Sequence, residues 1–403
     1  MLNRYLIAPP EELEQLVENV QAQMSAYKRK ASWTKLREDL PDILASIFAV
    51  WSVSNSVSFY AETKSKNSVL RPHPVQVLSI FRILEVDAPA GVLAKAKVFF
   101  LGEKLKGHLV QIGTGEGKSI ILGILSTLLA LLGFSVSSVC YSQYLSDRDY
   151  NSFKDLFIRF KVSEFVQYST LAQMAGHFIN DEGDIRAYTK AFIEGSSVED
   201  FRKFFTAKRE RILLIDEVDV FFSRDFYGAT YNPSVILKNK HISAILEFVW
   251  KNRAAVKLLQ IRATDQYKQL LASYPKISRI IDSSIIRMID QAKDFNDPPY
   301  SRIKNEYGQI VIGYKEGGSV STSIQHGYKT CFAYLNERDA GNVTDEIAQL
   351  HLGLTVNCGQ FSYAEVPKSF ACILGVTGTL KSLGKFETEI KNDEFKGLRV
   401  KLE

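Results

Sequence analysis

A glycine-rich turn between two apolar stretches carries the clearest chemistry in the sequence, and it reads Ile112-Gly-Thr-Gly-Glu-Gly-Lys-Ser119. Glycines let backbone N–H groups converge on phosphate oxygens, the lysine places a positive charge there, and the hydroxyl can hold Mg²⁺. The turn therefore predicts a phosphate-binding loop that takes ATP and Mg²⁺. Its predicted nucleotide-binding residues are Gly113, Thr114, Gly115, Glu116, Gly117, Lys118 and Ser119.

The turn departs from the usual GxxxxGK[ST] spacing at one position, because Ile112 stands where the first glycine is expected and Gly113 follows it. The alternative interpretation is an ordinary glycine turn that happens to contain Lys-Ser. The strand-like HLVQI (108–112) before the turn and the apolar helical run after it favour the phosphate loop, since the motif requires that context.

A second candidate site follows the apolar run Ile212-Leu-Leu-Ile215, which leads directly into Asp216 and Glu217. Ligands of open α/β folds bind at the carboxyl edge of the parallel sheet, where this pair would lie. We expect Asp216 to hold Mg²⁺ through water and Glu217 to orient or deprotonate the attacking water. The alternative is a solvated strand end, which the phosphate loop earlier in the chain disfavours.

Two weaker features are Gln76 and the segment Thr377-Gly-Thr379. The segment follows the apolar run ACILGV (371–376) and is by itself a turn at a strand end. Gln76 follows Arg71-Pro-His-Pro. It is either an ordinary surface glutamine or an amide that reads adenine through its paired donor and acceptor groups.

Short β-like runs and apolar helical runs alternate around these sites. HLVQI (108–112), the helical run after the turn and VSSVC (136–140) give the order strand, helix, strand, which is the βαβ unit of a parallel sheet. ILLI (212–215) and ACILGVTGT (371–379) supply further strands. The region from Pro10 to about Lys66 is helical in pattern, and we expect its second helix to start at Asp39-Leu-Pro-Asp42.

The βαβ rhythm stops between residues 227 and 327, which indicates an inserted subdomain. Helical stripes there precede two β-like segments, 300–304 and 309–314, that predict a hairpin. The predicted fold class is α/β: a parallel sheet with helices on both faces, interrupted by an inserted α+β subdomain and preceded by an N-terminal helical segment. The predicted boundaries are 1–66 for the helical segment, 67–226 and 328–395 for the two parts of the nucleotide-binding domain, 227–327 for the insert and 396–403 for a tail.

Composition excludes several other classes of protein. The chain has 403 residues, of which 46% are hydrophobic and 24% charged, with a net charge of +5. This apolar content is typical of globular domains, and the small charge excess argues against a dedicated nucleic-acid binder. Four cysteines without a CxxC pair indicate neither a disulfide framework nor a zinc site. The longest apolar run, 120–134, is too short for a bilayer, so we expect no transmembrane helix. The N-terminus turns acidic before any apolar core of useful length, so we expect no signal peptide and a cytoplasmic location.

Taken in order, four segments resemble the first half of the SecA preprotein-translocase motor, whose signatures are TGEGKT, DYLAxRD, DEVD and GMTGT. The matching segments are TGEGKS (114–119), YLSDRD (144–149), LLIDEVD (213–219) and GVTGTL (375–380). Arg71-Pro-His-Pro-Val-Gln76 is similar to the adenine-reading segment of that family. The resemblance spans roughly residues 40–395 and accounts for Ile112, because the family carries an apolar residue there.

By that resemblance the fold is a RecA-like P-loop domain. Lys118 and Ser119 would bind phosphate and Mg²⁺, Asp216 the metal, and Glu217 the attacking water, which makes Lys118 and Glu217 the catalytic pair. The insert 227–327 falls where SecA carries its preprotein-binding domain. This placement implies an unfolded polypeptide or preprotein as the partner, and contact with a translocon or membrane surface.

The resemblance also implies residues that couple nucleotide state to movement. Asp147 and Arg148 would belong to such a coupling segment, with a helix-capping ion pair as the alternative. Thr377, Gly378 and Thr379 would link the nucleotide to domain movement.

Two departures from the family change the expected activity. Nothing between Thr170 and Lys208 resembles the FDYLRDN segment of the family, and the chain stops at Glu403, where SecA begins a second RecA-like domain that supplies an arginine finger. We therefore expect this chain alone to bind ATP but to hydrolyse it slowly. It would be one half of a split motor, whose other domain a second chain supplies, or a truncated motor.

Two other functions remain open from the sequence. A helicase-type motor shares the same domain, and the basic run 202–211 could touch nucleic-acid phosphates, although a solvated helix face is the commoner reading of such a run. The third hypothesis is a nucleotide-gated binding module without useful turnover.

Overall fold

The computed structural model describes residues 10–30, 33–63, 70–84, 86, 107–181, 183–196, 209–227, 229–305, 307–316, 319–322, 325–378, 384–385, 387–389 and 399–402. The chain folds into two compact units. The first comprises 1–178, 205–231 and 361–403, and the second comprises 179–204 and 232–360.

The strands are β1 (His108–Gln111), β2 (Ser135–Cys140), β3 (Val166–Thr170), β4 (Arg211–Asp216), β5 (Thr230–Tyr231), β6 (Ser234–Leu237), β7 (Tyr300–Lys304), β8 (Ile310–Glu316), β9 (Ser319–Ser321), β10 (Leu354–Asn357), β11 (Phe361–Ser362), β12 (Cys372–Thr377) and β13 (Arg399–Leu402).

The helices are α1 (Pro10–Lys30), α2 (Trp33–Thr63), α3 (Pro74–Ile83), α4 (Lys118–Leu131), α5 (Gln143–Arg159), α6 (Leu171–Ile179), α7 (Ile185–Glu194), α8 (Val218–Phe222), α9 (Arg224–Tyr227), α10 (Lys240–Lys251), α11 (Leu258–Arg262), α12 (Asp265–Ser273), α13 (Ser278–Lys293), α14 (Tyr328–Asp339) and α15 (Asp345–His351).

The first unit is built on a parallel sheet with the strand order β13-β1-β12-β4-β2-β3. All its pairings are parallel, and the register places Gln111 beside Thr377 and Val376 beside Asp216. A parallel sheet must be covered on both faces, because its crossover connections place helices there. The predicted α/β fold class is confirmed.

Alternate residues of β4 show how the two faces are covered. Ile212 and Leu214 belong to a core shared with α1 to α5, whereas Leu213 and Ile215 belong to a second core with α6, α8 and α9. Successive side chains of a strand point to opposite faces, so a fully apolar run such as ILLI can supply both cores. The strand is therefore fixed in the middle of the sheet, with its two carboxylates at the open end.

The second helix of the N-terminal segment begins earlier than the sequence pattern predicts. It starts at Trp33 and runs through Pro41, rather than starting at Asp39. Leu36 and Leu40 before the proline, and Ile43 after it, are each 1% exposed and pack in the same core. An apolar stripe on both sides of Pro41 holds the helix together, although the proline lacks one backbone donor.

The second unit has its own cores. The largest joins α10, α12, α13 and α14 around the fully buried Trp250 and Phe332, whose rings stack with centroids 5.8 Å apart. The predicted hairpin is confirmed by the antiparallel pairing of β7 with β8, and β9 adds a third strand.

This unit extends beyond the predicted insert 227–327. It begins at 232, includes 179–204 and continues to 360. The reason is packing: Tyr328, Phe332 and Leu335 of α14 lie in the core of the second unit. A helical pattern alone does not reveal which sheet or bundle a helix contacts.

Several predictions fall on residues outside the described ranges, namely Thr379, most of the basic run 202–211 and half of the tail 396–403. Arg209 of the basic run is described. Its guanidinium lies over the ring of Phe165 and donates to the carbonyl of Ala130, a distance of 3.3 Å. Among the described helices, none combines the length and apolar character that a bilayer crossing requires.

Candidate nucleotide-binding site

Most of the predicted site residues lie where strands of the parallel sheet end. β1 leads into the loop 112–117, β4 into Glu217 and β12 into Gly378, while β2 leads into α5. In the sheet, β12 and β4 lie between β1 and β2, although β2 follows β1 in the sequence. Neighbouring strands are therefore not consecutive in sequence. Open α/β sheets bind ligands at the carboxyl ends of strands where the order switches in this way.

Two glycines give the loop its shape. Gly115 and Gly117 have φ angles of 90° and 83°, which side-chain-bearing residues rarely adopt. A Cβ on Gly115 would meet nothing within 4 Å, whereas a Cβ on Gly117 would collide with the amide of Gln76. Residues 113–116 are exposed, so the loop presents open backbone at the N-terminus of α4. Such a loop can receive an anionic group.

Gln76 is tied to this loop rather than exposed. It is 2% exposed, its Oε1 accepts from the backbone N–H of His73 at 3.0 Å, and its Nε2 donates to the carbonyl of Glu116 at 3.1 Å. The surface-glutamine alternative is therefore wrong. To read adenine, the amide would have to exchange these two bonds for bonds to the base.

Lys118 and Ser119 are the first two residues of α4, and Asp216 lies across from them at the end of β4. The Oδ1 atom of Asp216 is buried without a hydrogen-bond partner. Burial raises the pKa of Asp216 to about 6; Lys118 opposes this shift, and the carboxylates of Glu217 and Asp149 add to it. A buried acceptor without a partner costs free energy, and a cation would remove that cost.

Glu217 has a strained backbone. Its φ and ψ are 61° and 67°, the left-handed region, and its N–H donates to the carbonyl of Val376 at 3.0 Å. A residue with a Cβ in this region costs roughly 1–3 kcal/mol, and such strain concentrates at functional sites. The conformation turns the chain sharply from β4 into α8, immediately after Asp216.

The Thr377 segment lies against the phosphate loop. The backbone N–H of Ile112 donates to the carbonyl of Thr377 at 2.9 Å, and Thr377 is 1% exposed. A Cβ on Gly378 would lie 3.2 Å from Oγ1 of Thr114 and 3.9 Å from Nζ of Lys118. The end of β12 thus lies directly against the loop.

The YLSDRD segment is the first part of α5, and the structure separates its charged residues. Asp147 is exposed and accepts a hydrogen bond from Gln143 at 2.7 Å. Arg148 pairs with Asp149, whose side chain also accepts from Oγ of Ser119 at 3.0 Å. Of the two aspartates, Asp149 is the one that contacts a predicted nucleotide-binding residue, and Nη2 of Arg148 lies 3.5 Å from the same hydroxyl of Ser119.

Sequence reasoning missed Asp149, although a signal for it exists. Ser146, Asp149, Phe153 and Leu156 recur at helical spacing, and all four are buried on one face of α5. A carboxylate within such an apolar stripe needs a partner inside the protein. That requirement separates Asp149 from Asp147, which lies off the stripe.

The residues present fit Mg²⁺ with a nucleotide. Mg²⁺ keeps several waters and takes one or two protein oxygens besides phosphates, which Ser119 and the partnerless Oδ1 of Asp216 can provide. In the described part of the chain, no group of three or more His, Cys, Asp or Glu side chains could hold a metal. Burial, helped by Asp149 and Asp216, raises the pKa of Cys140 to about 12, so this nearby thiol is neutral.

Comparisons with known proteins agree with this geometry. Residues 9–181 match the model of the SecA DEAD-like domain, a segment that includes Gln76, the phosphate loop and α5. A stretch of 105 residues is 25% identical to protein translocase subunit SecA 2 of Chlorobium chlorochromatii (strain CaD3). The match covers 26% of this chain but only 13% of that protein.

Proposed function

We propose that this chain, whose residues 9–181 match the SecA DEAD-like domain, binds Mg-ATP at the carboxyl edge of its parallel sheet and couples the nucleotide to handling of polypeptide. The observation that carries the nucleotide site is the buried, partnerless Oδ1 of Asp216, which lies beside the lysine of a glycine-shaped loop. The carboxylate of Asp216 would favour a bound cation, and the loop with Lys118 would favour a bound anion, so the two together suit a metal–nucleotide complex.

The roles follow from the chemistry of each group. The N–H groups of 113–117 and the ammonium of Lys118 bind phosphate oxygens, and Ser119 and Asp216 hold the metal directly or through water. Mg²⁺, when bound, neutralises charge on those oxygens. Glu217 orients a water and accepts its proton. Its left-handed backbone conformation sets the direction in which the side chain leaves the chain.

We propose that hydrolysis by this chain alone is weak. Among the described residues, Arg148 is the arginine that approaches Ser119, with Nη2 3.5 Å from Oγ, and its guanidinium is held by Asp149. A free arginine that stabilises the transferred phosphoryl group is worth about 10³–10⁵ in rate. A second motor-domain chain that supplied one would raise the rate.

The test is nucleotide binding, followed by turnover. Lys118→Ala is expected to weaken binding of a fluorescent ATP analogue by at least about tenfold, because one charge–phosphate contact is worth at least 1.4 kcal/mol. The matched control is Lys154→Ala on α5, an exposed lysine away from the loop. Equal affinities of wild type and Lys118→Ala would contradict the proposal.

Glu217→Gln separates an ATPase from a switch. It is expected to keep nucleotide binding and to lose the residual hydrolysis, since the amide cannot accept a proton at neutral pH. If hydrolysis by wild type is absent and Glu217→Gln changes nothing, the alternative of a nucleotide-gated module holds instead.

Polypeptide, rather than nucleic acid, is the proposed partner, with a preprotein and a translocon as its natural context. Support comes from the family match and from Arg209, which is engaged in packing instead of forming part of an open basic surface. ATP hydrolysis or nucleotide affinity should respond to an unfolded polypeptide. Stimulation by single-stranded RNA with indifference to polypeptide would favour the helicase-type alternative.

A further inference from the structure

We infer that Asp149 is a positioning residue for the metal: it holds the hydroxyl of Ser119 so that the oxygen of that hydroxyl faces Mg²⁺. This inference rests on the proposed nucleotide site. It assigns the connection between the YLSDRD segment and the nucleotide to Asp149, and not to Asp147.

The contacts of Asp149 carry the inference. Its Oδ2 lies 3.0 Å from Oγ of Ser119, and its Oδ1 accepts from Nε of Arg148 at 2.8 Å. Asp149 is 4% exposed, so its carboxylate has little access to water. Both of its oxygens are therefore engaged, one by the residue that would bind the metal and one by an arginine that balances its charge.

The direction of the hydrogen bond matters for metal binding. A serine hydroxyl has one proton to donate and two lone pairs that can accept or coordinate. A carboxylate can only accept, so in the Ser119–Asp149 pair the proton must point to Asp149. Nη2 of Arg148 lies 3.5 Å from Oγ and faces one of its lone pairs, so the other lone pair remains for a cation. The charge of Asp149 increases the electron density on that oxygen. Partners of this kind typically alter metal affinity by about 10–100-fold.

Packing between α4 and α5 fixes this contact. Gly123 lies one helical turn after Ser119, and Phe153 lies one turn after Asp149. A Cβ on Gly123 would stand 2.5 Å from the ring of Phe153, so the glycine lets the two helices approach closely at that level. Phe153 is 2% exposed and belongs to the core. The buried turn that holds Phe153 thus also sets the position of Asp149.

Asp147 offers a matched comparison within the same helix. It has the same side chain two residues earlier, it is exposed, and it accepts a hydrogen bond from Gln143. Asp149→Asn and Asp147→Asn are the same chemical change, made at one residue that contacts Ser119 and at one that does not.

The experiment measures how the affinity for a fluorescent ATP analogue depends on Mg²⁺, with wild type and each variant as the full chain. We expect Asp149→Asn to require about 10–100-fold more Mg²⁺ for half of the metal-dependent gain in affinity. Affinity measured in EDTA should stay within about twofold of wild type for both variants, a change of only a few tenths of a kcal/mol. Asp147→Asn should behave as wild type throughout. A wild-type Mg²⁺ requirement in Asp149→Asn would overturn the inference.

A double-mutant cycle with Ser119→Ala tests whether Asp149 acts through Ser119. If it does, Asp149→Asn should cost little further Mg²⁺ affinity once Ser119 is alanine, and the two changes will be non-additive. Additive losses would overturn the inference, as would loss of binding in EDTA, which indicates misfolding of the loop instead. Failure of the proposed function is distinguishable, because wild type itself would then show no nucleotide binding.

Discussion

Carboxylates in the two units of this chain have opposite surroundings. In the second unit, burial alone would raise the pKa of Asp282, but hydrogen bonds from Arg262 and Tyr267 outweigh it and lower the pKa. At the sheet edge of the first unit, burial raises the pKa of Asp216 to about 6, and the charge of Lys118 only partly opposes it. Both oxygens of Asp282 accept hydrogen bonds, whereas the buried Oδ1 atom of Asp216 has no hydrogen-bond partner.

Glu337 extends the comparison. This buried residue of α14 accepts from Oη of Tyr300 and from Nδ2 of Asn342, each at 2.7 Å, and Arg302 lies 3.7 Å away. The carboxylates of Asp282 and Glu337 thus have hydrogen-bond and ion-pair partners within the second unit, which stabilise its fold. The raised pKa of Asp216 shows instead that its ionised form is disfavoured in the folded protein, and groups of this kind concentrate at ligand sites.

Removal of the Glu337 carboxylate, whose hydrogen bonds are complete, is expected to have the largest effect on stability. Glu337→Ala should destabilise the second unit by about 3 kcal/mol, because Tyr300 and Asn342 lose their acceptor and Arg302 loses its counter-charge. Hydrogen–deuterium exchange of peptides from β7 and α14 measures this loss locally.

The control for that change is Glu346→Ala, an exposed glutamate in the first turn of α15, which should cost less than about 1 kcal/mol. If Glu337→Ala exchanges no faster than this control, the carboxylate network does not stabilise the unit.

Asp216→Asn removes the carboxylate whose Oδ1 has no partner, and it should raise stability instead of lowering it. The pKa of Asp216 is raised in the folded state, from 3.8 to about 6, so the folded state binds this proton more tightly than the unfolded chain does. Its contribution to stability therefore falls as pH rises from about 4 to 6 and stays low above that. At pH 8 the asparagine variant should be more stable by about 1–2 kcal/mol, yet bind Mg-nucleotide poorly.

Thermal unfolding at pH 4 and pH 8 checks this prediction, with Asp155→Asn on the exposed face of α5 as the control. A gain of the same size at both pH values would show that it does not come from ionisation of Asp216. If Asp216→Asn lost stability at pH 8, Asp216 would stabilise the fold as Glu337 is expected to, and the two units would not differ in this respect.

The smallest effect concerns a base in the second unit. Burial lowers the pKa of His351 below 6.5, with a smaller contribution from Lys238, and its ring stacks on Tyr334 with centroids 3.7 Å apart. A base with a depressed pKa stabilises above 6.5 and loses that stability as pH falls below it. Between pH 7 and 5 the amides of α15 should therefore lose protection.

His351→Gln should be nearly independent of pH over that range, because glutamine does not titrate. Hydrogen exchange of α15 in wild type and variant measures the difference. If the protection of α15 in wild type did not change from pH 7 to 5, protonation of the His351 imidazole would not lower the stability of this helix.

Local patterns predicted much of the fold and of the site. The strands ILLI and ACILGV, the glycine turn and the hairpin around Tyr307-Gly308 follow from apolar runs and turn residues, which act over a few positions. The expected start of the second helix at Asp39 was wrong, because the rule for proline was outweighed by burial of Leu36 and Leu40 across it. The extent of the second unit, up to 360, was also beyond reach, since it depends on which core α14 joins.

By itself, then, the sequence determined which chemical groups are present: a glycine-rich loop with the residues of a phosphate site, a strand that ends in two carboxylates, and the parallel sheet that brings such ends together. Only the tertiary structure decided which carboxylate needs a cation and which aspartate of YLSDRD reaches the loop. Asp147 and Asp149 are chemically identical and two residues apart. Their difference arises from the side of α5 that packs on α4, where burial removes water and makes a hydrogen bond to Ser119 necessary.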